Sequence, residues 1–333
     1  MGKDLTQMMD QYDRRINYLR ISVTDRCNLR CLYCMPHGGV TKLKHGEILN
    51  YEEILRLAGI AVDLGVNKIR ITGGEPLVRK GIYDFLPLLT ALPGLKDVSL
   101  TTNGVYLRDN LERLKSGGIQ RINVSLDTLR RDKYEKIAGS DSFEQVWEGI
   151  QRAKDRHFNP TKINVVVIRG LNDDEILDLA ALTLKDPYHV RFIEYMPIGV
   201  ENGEKTFRHV PNSLIKASLN RLGKLVQVAT NSHDGPAERF RFPGAPGEIG
   251  FIGALSNHFC ARCNRLRLTS TGKLRPCLLS DTEFDLGGAM RNGASDRELA
   301  RIFLKAVFNK PHSHHLATER APHPLGQMSA IGG

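Results

Sequence analysis

Six short runs rich in apolar and β-branched residues, at 19–23, 68–72, 98–102, 121–126, 163–168 and 190–195, read as strands separated by helical stretches. This alternation constrains the fold most strongly, because strands joined through helices pair in parallel by right-handed crossovers. Helices are predicted over 50–65, 107–116, 143–156 and 173–184. In the first, Ile54, Ala58, Ala61 and Leu64 recur at helical spacing, Asn50 and Glu53 form a capping pair, and Gly65 supplies the stop. Six strand-helix units suit an α/β fold, either an open parallel sheet or a partial barrel. In both, the ligand site lies at the C-terminal ends of the strands.

Polar residues gather at those ends. Cys27 follows the first strand and Gly73-Gly74-Glu75-Pro76 the second. Thr101-Thr102-Asn103-Gly104 ends the third, Ser125 and Asp127 the fourth, and Met196 and Pro197 the sixth. Turn chemistry alone accounts for any one of them; their coincidence with a cysteine group makes them candidate site residues.

At 333 residues the chain suits one large barrel or about two domains. The longest apolar runs, such as 165–168, are far too short to span a bilayer, and the polar stretch 1–15 lacks the core of a signal peptide. A cytoplasmic location with reduced thiols is expected, and no membrane partner. The formal net charge of +10 points to an anionic partner. Basic residues are spread along the chain rather than blocked, which favours a small polyanion such as a nucleoside triphosphate over nucleic acid. The Pro- and Gly-rich stretch 234–253 is expected to lead out of the barrel, dividing the chain into 1–234 and 235–333. The tail beyond Lys310, with His312, His314, His315 and His323 among Pro and Ser, reads as a weakly ordered terminus.

All six cysteines fall into two groups, Cys27, Cys31 and Cys34, and Cys260, Cys263 and Cys277. Each group offers three thiolates where tetrahedral thiolate sites usually carry four, which implies two metal centres with one open position each. The spacing of Cys27, Cys31 and Cys34 lets three thiolates wrap three corners of an iron-sulfur cube. A zinc site completed by His37, or buried free thiols, are the alternatives. The second group alone fits a zinc knuckle as well. Between its members, however, Arg265 and Arg267 project to one side if the segment is a strand, and paired guanidinium forks match phosphate oxygens.

The loop Cys27-Asn-Leu-Arg-Cys31-Leu-Tyr33-Cys34 resembles the signature of the radical S-adenosylmethionine enzymes. In that superfamily three cysteines hold a [4Fe-4S] cluster whose fourth iron binds S-adenosylmethionine, and one electron then yields a 5′-deoxyadenosyl radical. Segments 19–26 (LRISVTDR), 70–77 (RITGGEPL), 121–127 (RINVSLD) and 191–196 (RFIEYM), together with the terminal Gly332-Gly333, resemble the GTP 3′,8-cyclase family over nearly the whole chain.

The resemblance implies a partial (β/α)6 TIM-type barrel with a C-terminal iron-sulfur region, and a lyase carrying two [4Fe-4S] clusters ligated by the six cysteines. It implies that Tyr33, Gly74, Ser125 and Met196 contact S-adenosylmethionine. Arg20, Arg70, Thr101, Lys162, Arg265 and Arg267 would contact GTP, and the Gly332-Gly333 tail would enter the active site. A homodimer and an unidentified electron donor are also implied. The alternative is another radical enzyme with an auxiliary cluster, acting on RNA or a peptide.

Overall fold

The computed structural model describes residues 8–34, 42–196, 198, 208–229, 235–314 and 328–332. Strands β1 (Tyr18–Ser22), β2 (Lys68–Thr72), β3 (Asp97–Thr102), β4 (Arg121–Ser125), β5 (Thr161–Val167) and β6 (His189–Glu194) lie side by side in chain order, all parallel. Helices α1 (Tyr51–Asp63), α2 (Ile82–Thr90), α3 (Leu107–Ser116), α4 (Arg131–Ala138), α5 (Phe143–Asp155) and α6 (Ile176–Lys185) occupy the connections. All six expected strands are present to within two residues at each end.

Local chemistry explains α1. The Asn50 side chain accepts from the Glu53 amide at 2.7 Å, and the Glu53 carboxylate accepts from the Asn50 amide at 2.8 Å. Such a cap contributes about 1 kcal/mol. Ile54, Leu57, Ala58 and Ala61 then form one fully buried stripe. Helices α2 and α4 escape the sequence reading. Pro87 inside α2 suggests a break, yet the helix runs through it, and α4 is short and highly charged.

Strand periodicity sorts side chains between two environments. Ile69, Ile71, Leu100, Ile122, Val124, Ile163, Val165, Val190 and Phe192 are completely buried and belong to one apolar core with the helices. The alternate residues Arg20, Arg70, Thr101, Ser125, Asn164 and Arg191 line the concave side. A (β/α) barrel usually fills that space with branched apolar side chains. Here it is polar and open.

The C-terminal region extends the same sheet at both edges. β9 (Glu248–Ile252) runs parallel to β6, followed outward by β8 (Glu238–Arg241) and β7 (Val226–Gln227). β10 (Arg265–Leu268) runs parallel to β1, followed outward by β11 (Lys273–Arg275) and β12 (Phe284–Asp285). Eight parallel strands thus stand in the order β10-β1-β2-β3-β4-β5-β6-β9. Residues of β9 and β10, the outermost parallel strands, line one cavity, so the sheet curls into a partial barrel.

Two expectations change. The stretch expected to leave the barrel supplies β8 and β9 instead. A Cβ on Gly247 would lie 2.5 Å from the Tyr188 carbonyl, and one on Gly250 would lie 2.9 Å from Arg191 Cγ, so Gly247 serves close packing on the α6–β6 connection and Gly250 on β6 rather than a linker. The division expected at 234/235 abuts residues 230–234, which lie outside the described residues. The tail does not loosen at Lys310 either: Lys310 and His314 are 2 % and 9 % exposed. His315 and His323 lie outside the described residues, as does His37. Among the described residues no helix is long and apolar enough to cross a membrane.

Candidate active site

The first cysteine group sits on the loop leaving β1, and a second backbone pins it. The Gly74 amide donates to the Thr24 carbonyl and the Glu75 amide to the Arg26 carbonyl, both at 2.8 Å. A Cβ on Gly74 would lie 2.4 Å from the Arg26 carbonyl oxygen, so only glycine permits this approach. Glu75, fully buried, accepts from the Thr102 hydroxyl at 2.8 Å and the Leu77 and Asn103 amides at 3.0 and 2.6 Å. Burial still pushes its carboxyl up to about 7 against those three donors. The Asn103 side chain in turn reaches Cys27 Sγ at 3.7 Å. Glu75 and Asn103 thereby fix the β3 end against the cysteine loop.

The Tyr33 hydroxyl donates to Asp127 at 2.6 Å, and the other Asp127 oxygen accepts from the Val166 amide at 2.8 Å. Burial raises the Asp127 carboxyl to about 6 despite both hydrogen bonds. Burial also lifts the Cys31 thiol well above its ordinary range, helped by Asp127 and the neighbouring thiols, and lifts Cys27 as well.

In the second group, Cys260 and Cys263 flank a single 3-10 turn, and the antiparallel return of β11 brings Cys277 back beside them. Burial raises the Cys260 thiol. Burial opposes ionisation of Cys263 too, but the Arg265 and Lys310 cations prevail and lower it to about 6. Among the described residues no three such side chains converge tightly enough to hold a single metal ion. A cube of iron and sulfide separates its thiolates more widely, and two all-thiol trios on one cavity fit that donor chemistry.

Both trios line one cavity with about 1780 Å³ of empty space, counting its open mouth. The volume comparable with the roughly 300–1,000 Å³ of an ordinary ligand site is about 290 Å³. Tyr33, Gly74, Ser125 and Met196 line it with the first trio, Arg265 and Arg267 with the second, and Arg20, Arg70 and Thr101 as well. Lys162 is not among the lining residues. It points the same way as Asn164 on β5, one step deeper toward the base of the barrel. Gly332 lies against Ser22 and Thr72, where a Cβ would meet Thr72 Cγ2 at 2.7 Å, and Arg267 donates to its carbonyl at 2.5 Å. Gly333 lies outside the described residues.

The sheet register packs these cations together: Arg20 stands beside Arg267 on one side and Arg70 on the other, and Arg191 beside Asn164. Burial, reinforced by neighbouring cations, lowers Arg191 and Arg267 to about 9 and Lys162 to about 6, and lowers Arg20 well below its ordinary range. The Thr101 hydroxyl, the Tyr18 hydroxyl and Arg191 Nε are buried without hydrogen-bond partners. Such groups are costly unless a ligand satisfies them.

Glu75, Asn103 and Asp127 were among the strand-end candidates, whereas Arg191 and Tyr18 were not named as site residues from sequence. Arg191 carries a readable signal, a cation between the apolar Val190 and Phe192 on a strand, which period-two alternation turns to the concave side.

The description "Radical SAM superfamily" matches residues 21–183, and "Molybdenum Cofactor Synthesis C" matches residues 188–316. The chain is 49% identical to a GTP 3′,8-cyclase of Pelotomaculum thermopropionicum and 50% identical to one of Moorella thermoacetica. Each comparison covers 98% of this chain and 100% of the relative. Among solved structures it resembles Streptococcus suis SuiB bound to S-adenosylmethionine, with a TM-score of 0.61 and 15% identity over 93% of this chain and 70% of that one, a likeness of fold. With near-complete coverage by these relatives, the chain belongs to the GTP 3′,8-cyclase family, radical S-adenosylmethionine enzymes with two [4Fe-4S] clusters that convert GTP to 3′,8-cyclo-7,8-dihydro-GTP in the first step of molybdenum cofactor biosynthesis.

Proposed function

We propose that GTP binds between the two cysteine trios, its triphosphate held by Arg20, Arg70, Lys162, Arg265 and Arg267, with Arg191 added and Thr101 supplying a hydroxyl. One observation carries this reading: buried cations crowd one another on the concave face, where Arg267, Arg20 and Arg70 stand side by side and Arg191 keeps a buried Nε without a hydrogen-bond partner. Guanidinium forks facing a polyphosphate relieve that repulsion and satisfy the orphaned donors together.

Cys27, Cys31 and Cys34 hold the first cluster in this reading, Cys260, Cys263 and Cys277 the second, and Tyr33, Gly74, Ser125 and Met196 contact S-adenosylmethionine. When bound, the first cluster and S-adenosylmethionine would supply one-electron radical chemistry directed at the ribose of GTP, and the second cluster would supply a further metal site on the nucleotide's side of the cavity. The protein's own work is positioning. The arginines fix the phosphates and so the ribose, Asp127 fixes Tyr33, and Arg267 holds the Gly332 carbonyl beside the cavity. The reading also includes a homodimer, a cytoplasmic location and an external one-electron donor.

The test is GTP affinity of Arg265→Ala and Arg267→Ala across a salt series. Loss of a charge-assisted contact worth roughly 1.5–3 kcal/mol predicts about 10- to 150-fold weaker binding, largest at low salt. Wild-type affinity at low salt would refute the phosphate assignment.

A further inference from the structure

Two buried cations that line no part of the cavity grip the second cysteine trio from behind. Arg14, 7 % exposed, donates from Nη1 to the Cys260 carbonyl at 2.7 Å and the His312 carbonyl at 3.1 Å, and from Nη2 to the Pro311 carbonyl at 2.8 Å. Its Nε is held by Asp10 at 2.6 Å. Lys310, 2 % exposed, donates to the Arg265 carbonyl at 2.8 Å and the Pro276 carbonyl at 2.6 Å.

The carbonyls belong to Cys260 itself, to the residue two after Cys263, and to the residue just before Cys277. Each cysteine-bearing segment is therefore tied by a cation, and both cations meet on the strap 310–314. The strap's far end is pinned where the His314 ring lies 2.7 Å from the Ala254 carbonyl, and the His314 amide points at Cys260. The Asp10 carboxylate balances Arg14, but a lysine buried beside thiols rather than paired with a carboxylate is costly unless it offsets negative charge nearby. Three thiolates supply it.

We infer that Arg14 and Lys310 are positioning residues for the second cluster: together they set the spacing of Cys260, Cys263 and Cys277, and Lys310 places positive charge behind the thiolates. The inference rests on reading those cysteines as cluster ligands. Outer partners of metal ligands typically contribute about 10- to 100-fold in affinity or activity.

The experiment is anaerobic reconstitution of the full chain followed by iron and sulfide analysis, redox titration by paramagnetic resonance, and assay of 5′-deoxyadenosine. Wild type is expected to hold about eight irons. Lys310→Met is expected to hold about four, still cleaving S-adenosylmethionine at the first cluster, with Lys310→Arg recovering part of the loss. Wild type holding only about four irons would overturn the ligand reading. Lys310→Met with about eight irons and both reduction potentials unchanged would overturn the positioning role alone. Arg14→Lys, the milder change, should lose second-site iron to a chelator about 10-fold faster. A wild-type rate there also overturns the inference, whatever the folding of Lys310→Met.

Discussion

The two cysteine trios share a count of three thiols and little else. The first lies on eight consecutive residues held by neighbours: the Arg30 and Leu32 amides donate to the Ala138 and Ile137 carbonyls at the end of α4, both at 2.9 Å. Its surroundings are acidic, with Asp127 acting on Cys31 and Glu75 on Cys27. The second is assembled from a turn, a returning strand, an N-terminal arginine and a C-terminal strap, and its surroundings are cationic, with Arg265 and Lys310 acting on Cys263. A self-contained loop beside carboxylates suits a site whose ligand, the S-adenosylmethionine sulfonium, is cationic. A composite site among arginines suits an anionic nucleotide.

The largest expected effect separates the trios by outcome. Cys31→Ala should abolish formation of 5′-deoxyadenosine, whereas Cys277→Ala should leave that cleavage running and lose the cyclised product. Both products are read in one anaerobic assay with dithionite, S-adenosylmethionine and GTP. If both substitutions stopped cleavage equally, the division of labour between the trios would be wrong.

A smaller effect tests whether the first loop is held locally. Gly74→Ala places a methyl against the Arg26 backbone, a contact no side-chain rotation relieves. Overpacking of this kind costs about 1–3 kcal/mol. The first site should load iron less readily while GTP affinity stays near wild type. Equal loss of both clusters would indicate global unfolding instead of a local clamp.

The same contrast explains what could be read from sequence. The first trio and its Gly-Gly-Glu-Pro partner are close-spaced motifs at strand ends, and the strands themselves follow from period-two runs such as 68–72. β9 was hidden because Gly247 and Gly250 read as linker, although they permit contact with the α6–β6 connection and with β6. Arg14 and Lys310 were hidden for another reason: each acts on backbone carbonyls across more than thirty residues of sequence, up to 298 for Arg14, and no motif marks such a contact. The Lys162 assignment came from resemblance, and the structure sets that side chain below the cavity lining.

Lys162 therefore gives the finest test of the cationic half. Burial, reinforced by Arg191, Arg70, Arg121 and Lys68, lowers its amine to about 6 from the ordinary 10.5 in the free protein. At pH 7.5 that amine is mostly neutral. A triphosphate close by favours the charged form and raises the pKa again. The sign follows: above about pH 6 GTP binding takes up a proton, and affinity falls as pH rises from there. Calorimetry at pH 7.5 in buffers of different ionisation enthalpy should register an uptake approaching one proton, lost in Lys162→Met but kept in Gly74→Ala. Equal uptake in Lys162→Met and wild type would remove Lys162 from the GTP contacts while leaving Arg265 and Arg267 in place.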